Sequence, residues 1–156
     1  MSLLSNQYVV LKCVMGLNGG FSDYKADFLR IHSDGMEQSG PRGSGWGWRV
    51  PVGQALVITD VDWEYIHPQG AAMAGKIEVL RLWVQNLTTP NLGGRVFEST
   101  ITLSSHGEGG ISEAMTSGFV VSSKARICPD VVPGPVSQGV GGLQYLVLRG
   151  YLIPDN

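Results

Sequence analysis

Charge is scarce in this sequence. Only 15% of its 156 residues are Asp, Glu, Lys or Arg, against about a quarter in an ordinary soluble domain. No run of Lys or Arg occurs, and the formal net charge is −2. The basic footprint of a nucleic-acid binder is therefore missing, as is the basic face of a membrane-surface helix. No stretch approaches the roughly 20 apolar residues that cross a bilayer, so neither nucleic acid nor membrane insertion is expected. The opening residues, MSLLSNQYVVLKCVMG, carry no basic segment and no small-residue cleavage site and do not read as a signal peptide. A processed chain given a new Met would look the same, so an extracellular or surface setting stays open.

Cysteine is nearly absent. Cys13 and Cys128 do not make a disulfide framework, and Cys13, inside an apolar run, reads as a buried thiol. A bridge between them would close a very long loop, worth ~4 kcal/mol in the chain-entropy model, but only if the first strand passes near ARICPD.

Catalytic signatures are missing too. There is no Gly-x-Ser-x-Gly elbow, no Walker loop and no dinucleotide fingerprint. His32, His67 and His106 are scattered; the HSD and HGE triplets pair imidazole with carboxylate, chemistry that zinc accepts, yet no cupin-like histidine pattern follows. Exposed loop histidines are the expectation, with no metal, no cofactor and no enzymatic activity; a cupin-like metalloenzyme is the third-ranked reading.

What is present is alternation. Apolar residues recur at period two or in short solid runs, almost never at helical spacing. Strands are expected near Gln7–Met15, Ala26–His32, Trp46–Val50, Gln54–Ile66, Lys76–Asn86, Arg95–Ser104, Glu113–Ser122, Ala125–Cys128 and Leu143–Ile153. The separators are dense in Gly, Pro, Asn, Asp and Ser, each a turn former for its own steric or hydrogen-bonding reason. Regular strands without a convincing helix mean an all-β fold, a single antiparallel β-sandwich spanning residues 1–156. PDVVPGPVSQGVGG could pass for a linker, but one strand after it cannot make a domain.

Faces follow from the pleat. Leu80, Leu82 and Val84 share one side of their strand, and Phe97, Ile101 and Leu103 one side of theirs. The first and last strands carry apolar residues on both faces, so each is either central to the sandwich or partly buried between copies of the chain.

The last strand, LVLRGYLIPD, resembles the closing strand of the tumour-necrosis-factor/complement globular-head superfamily, through Gly150, Tyr151, Leu152, Pro154 and Asp155. The resemblance implies a jelly roll in which the first and last strands pair, and a homotrimer packed around an axis.

Two stretches carry candidate surface chemistry. In TDVDWEYIH, the acidic Asp60, Asp62 and Glu64 alternate with Val61, Trp63 and Tyr65, which places three carboxylates about 6.5–7 Å apart on one strand face. Cross-strand arginines, Arg49, Arg81, Arg95 or Arg149, are the expected answer to this stripe, within a subunit or across an interface. Solvent is the alternative, and calcium a further one, although calcium wants six to eight converging oxygens. In GSGWGWRVP, Trp46 and Trp48, with Arg49 beside them, form either a cap on the core, a subunit contact or an aromatic platform for a sugar ring. Asn86-Leu87-Thr88 matches a glycosylation acceptor.

Together these features point to a non-enzymatic oligomeric binding or adhesion module, lectin-like, for carbohydrate or another surface ligand. The alternative is a structural self-assembling subunit of a virion, appendage or coat.

Overall fold

The computed structural model describes residues 7–15, 26–40, 47–89, 91–133 and 141–156. Nine strands run through them: β1 (Tyr8–Met15), β2 (Ala26–Ile31), β3 (Glu37–Gln38), β4 (Gln54–Ile66), β5 (Ile77–Asn86), β6 (Gly93–Thr102), β7 (Glu108–Ser122), β8 (Ala125–Val132) and β9 (Leu143–Pro154). They form a six-stranded sheet ordered β3-β2-β1-β9-β4-β7 and a three-stranded sheet ordered β6-β5-β8. All pairings are antiparallel. The chain is the all-β sandwich its alternation implies, and the described residues contain one short 3-10 turn, Gly70–Met73, and no α-helix.

The core lies between the sheets. Leu80, Leu82, Ile101 and Leu103 meet Val9, Leu11, Leu56, Ile58, Trp63, Leu146 and Leu148, as the face assignments require. The terminal strands are central: β1 pairs β9 from Tyr8 opposite Tyr151 to Lys12 opposite Val147. Their inner faces are buried, whereas Tyr8 on the outer face stays 47% exposed.

β4 organises the larger sheet, because it pairs with β9 on one side and β7 on the other. Leu56 and Ile58 point inward; the register then shifts at Thr59, and Val61, Trp63 and Tyr65 take over the inner face. An extra residue of this kind is a β-bulge, which reverses the alternation beyond it. Both flanking strands approach closely here. A Cβ on Gly150 would lie 1.9 Å from the Val57 carbonyl oxygen, and one on Gly118, whose φ is +73°, would lie 2.1 Å from that of Ile58.

Three strand expectations need correction. Gly47–Val50 forms no strand; it lies alongside β2, with the Trp48 N–H donating to the Phe28 carbonyl at 2.7 Å. β7 begins at Glu108 rather than Glu113, taking Gly109 and Gly110 into the sheet, where Gly110 lies so near β4 that a Cβ would come 2.8 Å from the Trp63 carbonyl. β8 runs on through Pro129 to Val132; it is an edge strand, the place where a missing N–H is tolerated.

Candidate functional surface

The acidic stripe lies on the outer face of the six-stranded sheet, put there by the bulge that turns Val61, Trp63 and Tyr65 inward. Asp60 stands opposite Arg149 in the ladder and accepts a 2.7 Å hydrogen bond from the Thr59 hydroxyl. The Arg149 guanidinium also reaches Asp62, at 3.9 Å. Among the described residues the stripe meets one arginine, Arg149. Arg49 is committed to Asp27, and Arg81 and Arg95 both turn to Glu98. Glu64, further along, is exposed and has no ion-pair partner among the described residues.

Beside the stripe lies an open groove of about 590 Å³, lined by Asp62, Glu64 and Ile66 of β4, Ser104, and Glu108 to Ser112 of β7. Ladder partners share a face, so Glu108, Gly110 and Ser112 flank Ile66, Glu64 and Asp62 in turn. The hollow exists because Gly110 has no side chain and Ser112 a short one. Glu108 and Ser112 were not singled out in the sequence, since HGEGG reads there as a turn rather than as the start of β7.

Further along the same face, Tyr8, Tyr151, Val57 and Val120 form one cross-strand row over β1, β9, β4 and β7. Tyr8 is 47% and Val120 56% exposed. The next row carries Ile31, Val10, Arg149 and Asp60. The outer face thus passes from an apolar, aromatic row to a region where the acids of β4 stand beside Arg149, Val147 and Tyr145 of β9.

The Trp loop behaves differently. Trp46 lies outside the described residues. Trp48 is 7% exposed and belongs to the core, with the Arg30 guanidinium 5.7 Å from its ring centroid. Of the readings weighed for this residue, capping the core describes its place. Arg49 binds Asp27 through both terminal nitrogens, at 3.1 and 2.8 Å, the bidentate geometry that guanidinium and carboxylate favour. Asp27 also accepts from the Gly47 and Phe28 N–H groups, and Arg126 of β8, 2% exposed, lies 3.6 Å away. This buried ionic cluster joins β2 of one sheet to β8, an edge strand of the other. Its sequence signal was available: Asp27 and Arg126 are charges flanked by apolar residues inside strands.

The expectation for His67 also needs correction. Expected in an exposed loop, it is only 4% exposed, because it continues the inward series Val61, Trp63, Tyr65 one step past β4. Its Nδ1 accepts the Gln69 N–H at 3.0 Å, which leaves Nε2 to carry the proton toward Glu78 Oε1, 3.9 Å away. Burial, with the Glu78 charge adding to it, pushes the Tyr65 phenol up to about 12. His32 shares a 2.8 Å hydrogen bond with Gln38, and His106 is exposed.

Both cysteines are free thiols. Burial, reinforced by the Asp27 charge, pushes Cys13 up to about 12; burial also raises Cys128 against the opposing pull of Arg126. Neither supplies thiolate near neutral pH, and thiolate is the reactive form. No group of His, Cys, Asp or Glu among the described residues converges on a metal position.

No protein-family model matches this chain, and a comparison with curated proteins finds no match.

Proposed function

We propose that this chain is a non-enzymatic binding or adhesion module of jelly-roll type that works as a homo-oligomer, three copies around an axis. Its ligand, a carbohydrate or another surface, is taken on the outer side of the six-stranded sheet. The observation that carries this reading is the row Tyr8, Tyr151, Val57 and Val120. Tyr8 is 47% exposed and Tyr151 partly so; tyrosines on an apolar background are residues that anchor protein interfaces, and the low charge of the whole chain agrees. The terminal strands, apolar on both faces, then have one face in the core and the other against a neighbour. Of the groups that resemble catalytic parts, His67 and Glu78 are buried and the two thiols are held protonated, which favours binding over chemistry.

The self-assembling structural subunit is the second reading, since the same row would serve copies of the chain alone. A glycan-array screen of the oligomer in calcium-containing buffer separates the two. A reproducible family of related sugars supports the binding module; a folded oligomer that ignores every sugar and grows into larger particles with concentration supports the structural subunit.

A further inference from the structure

β7 is the outermost strand of its sheet. It pairs with β4 alone, and among the described residues its other edge has no sheet partner beyond the turn in which the Ser104 N–H donates to the Glu108 carbonyl. Edge strands are commonly blunted by lysine, proline or a covering segment. From Glu108 to Ser117, β7 has neither Lys nor Pro, and most of these residues are exposed. A strand with free backbone donors and acceptors is the template that extended peptides use for strand addition.

The surroundings specify which peptide. A strand added to β7 would place its outer-face side chains beside Glu108, Gly110 and Ser112, with Glu64 and Asp62 one strand further in. Two strand spacings come to roughly 10 Å. A lysine or arginine reaching inward and a glutamate reaching outward bridge that distance, and the glycine and serine between them leave the path clear. Glu64 and Glu108 have no ion-pair partner among the described residues, so a cation brought to them displaces nothing. Ile66, 43% exposed, lines the same groove on the outer face and gives aliphatic stems a surface to lie on.

We propose that the β7 edge and its acidic groove dock an extended basic polypeptide segment, added to the sheet as a further strand with its cationic side chains lying over Gly110 and Ser112 to reach Glu64, Glu108 and Asp62. This surface is separate from the tyrosine row and does not depend on the oligomer.

The test is calorimetric titration of the full-length protein with a short blocked peptide that alternates lysine with valine or threonine. A peptide alternating lysine with proline serves beside it, with the same charge but too few N–H groups for a ladder. The first peptide binds; Glu64→Gln and Glu108→Gln each weaken it about 2- to 5-fold, as one exposed ion pair does, while Glu98→Gln on the other sheet leaves it unchanged. The lysine–proline peptide binds at least ten times more weakly. Equal binding of the two peptides would reduce the surface to nonspecific attraction of polycations and overturn strand addition. Failure of the first peptide to bind at low salt, or binding indifferent to both glutamates, would overturn the proposal outright.

Discussion

The indole N–H of Trp63 donates to the Ser99 hydroxyl at 2.8 Å, and that hydroxyl in turn donates to Glu113 at 2.9 Å. Trp63 belongs to β4, Ser99 to β6 and Glu113 to β7, so this short chain of polar atoms ties the two sheets together along one side of the sandwich. The other side is tied by Asp27, Arg49 and Arg126. Each link satisfies a group buried by the packing of the sheets, because an indole N–H or a guanidinium left without an acceptor there costs more than the bond itself contributes.

Ser99→Ala is expected to destabilise the fold by about 1–3 kcal/mol, the cost of leaving a buried donor unsatisfied. Trp63→Phe combines that change with a small cavity. Urea unfolding monitored by circular dichroism checks both; a Ser99→Ala variant as stable as the parent would mean that the chain of hydrogen bonds contributes nothing.

At the opposite side, Asp27→Ala removes the carboxylate facing Arg49 and the buried Arg126. A loss of about 3–5 kcal/mol is expected, the usual result of stranding a buried charge. Glu37→Ala, which breaks the exposed pair with Lys12, should cost less than about 1 kcal/mol. The ratio of the two losses, measured in the same denaturant series, is the informative quantity.

Alkaline pH should unfold the protein earlier than a chain without buried acids. Cys13 and Tyr65 both have folded-state values raised to about 12, and Cys128 is raised as well. Groups raised on folding give stability that is fully present below their unfolded values and is lost as pH climbs toward the folded ones. The melting temperature should therefore fall steadily above pH about 9, the ordinary thiol value. Cys13→Ala should lower the plateau and flatten the slope. Thiol titration at pH 8 should find no reactive cysteine in the folded protein and two after denaturation.

Gly150→Ala should prevent folding or cost several kcal/mol, because the new Cβ would sit 1.9 Å from the Val57 carbonyl oxygen. Gly94→Ala is the control, since a Cβ there meets nothing within 4 Å. Yield of soluble protein and thermal melts distinguish them.

Strand alternation made the sandwich legible, since Leu80, Leu82, Ile101 and Leu103 could be sent inward from period two alone. The bulge at Thr59 was not legible, because the tight approach of Gly118 and Gly150 that fits it comes from strands distant in sequence. Gly109 and Gly110 read as turn and proved to be strand: a glycine's local freedom says nothing about whether another backbone will press against it. The acidic stripe was visible as a stripe, and Arg149 stood among its candidate partners. Choosing Arg149 over Arg49, Arg81 and Arg95 depended on pairing order, a long-range property. His67 was misplaced because Pro68 after it suggested a loop, whereas the inward series ran one residue past the strand.

The most direct test of the central proposal is sedimentation equilibrium of the wild-type chain and of a Tyr8→Lys, Val120→Lys variant at micromolar concentration. Both substituted residues are exposed, so the fold survives the change and circular dichroism verifies it. The expected result is a wild-type particle of three times the 16.7 kDa chain mass and a variant that sediments as a single chain. A wild-type protein that stays monomeric across this range, or a variant that keeps the full assembly, would contradict an oligomer built on the tyrosine row.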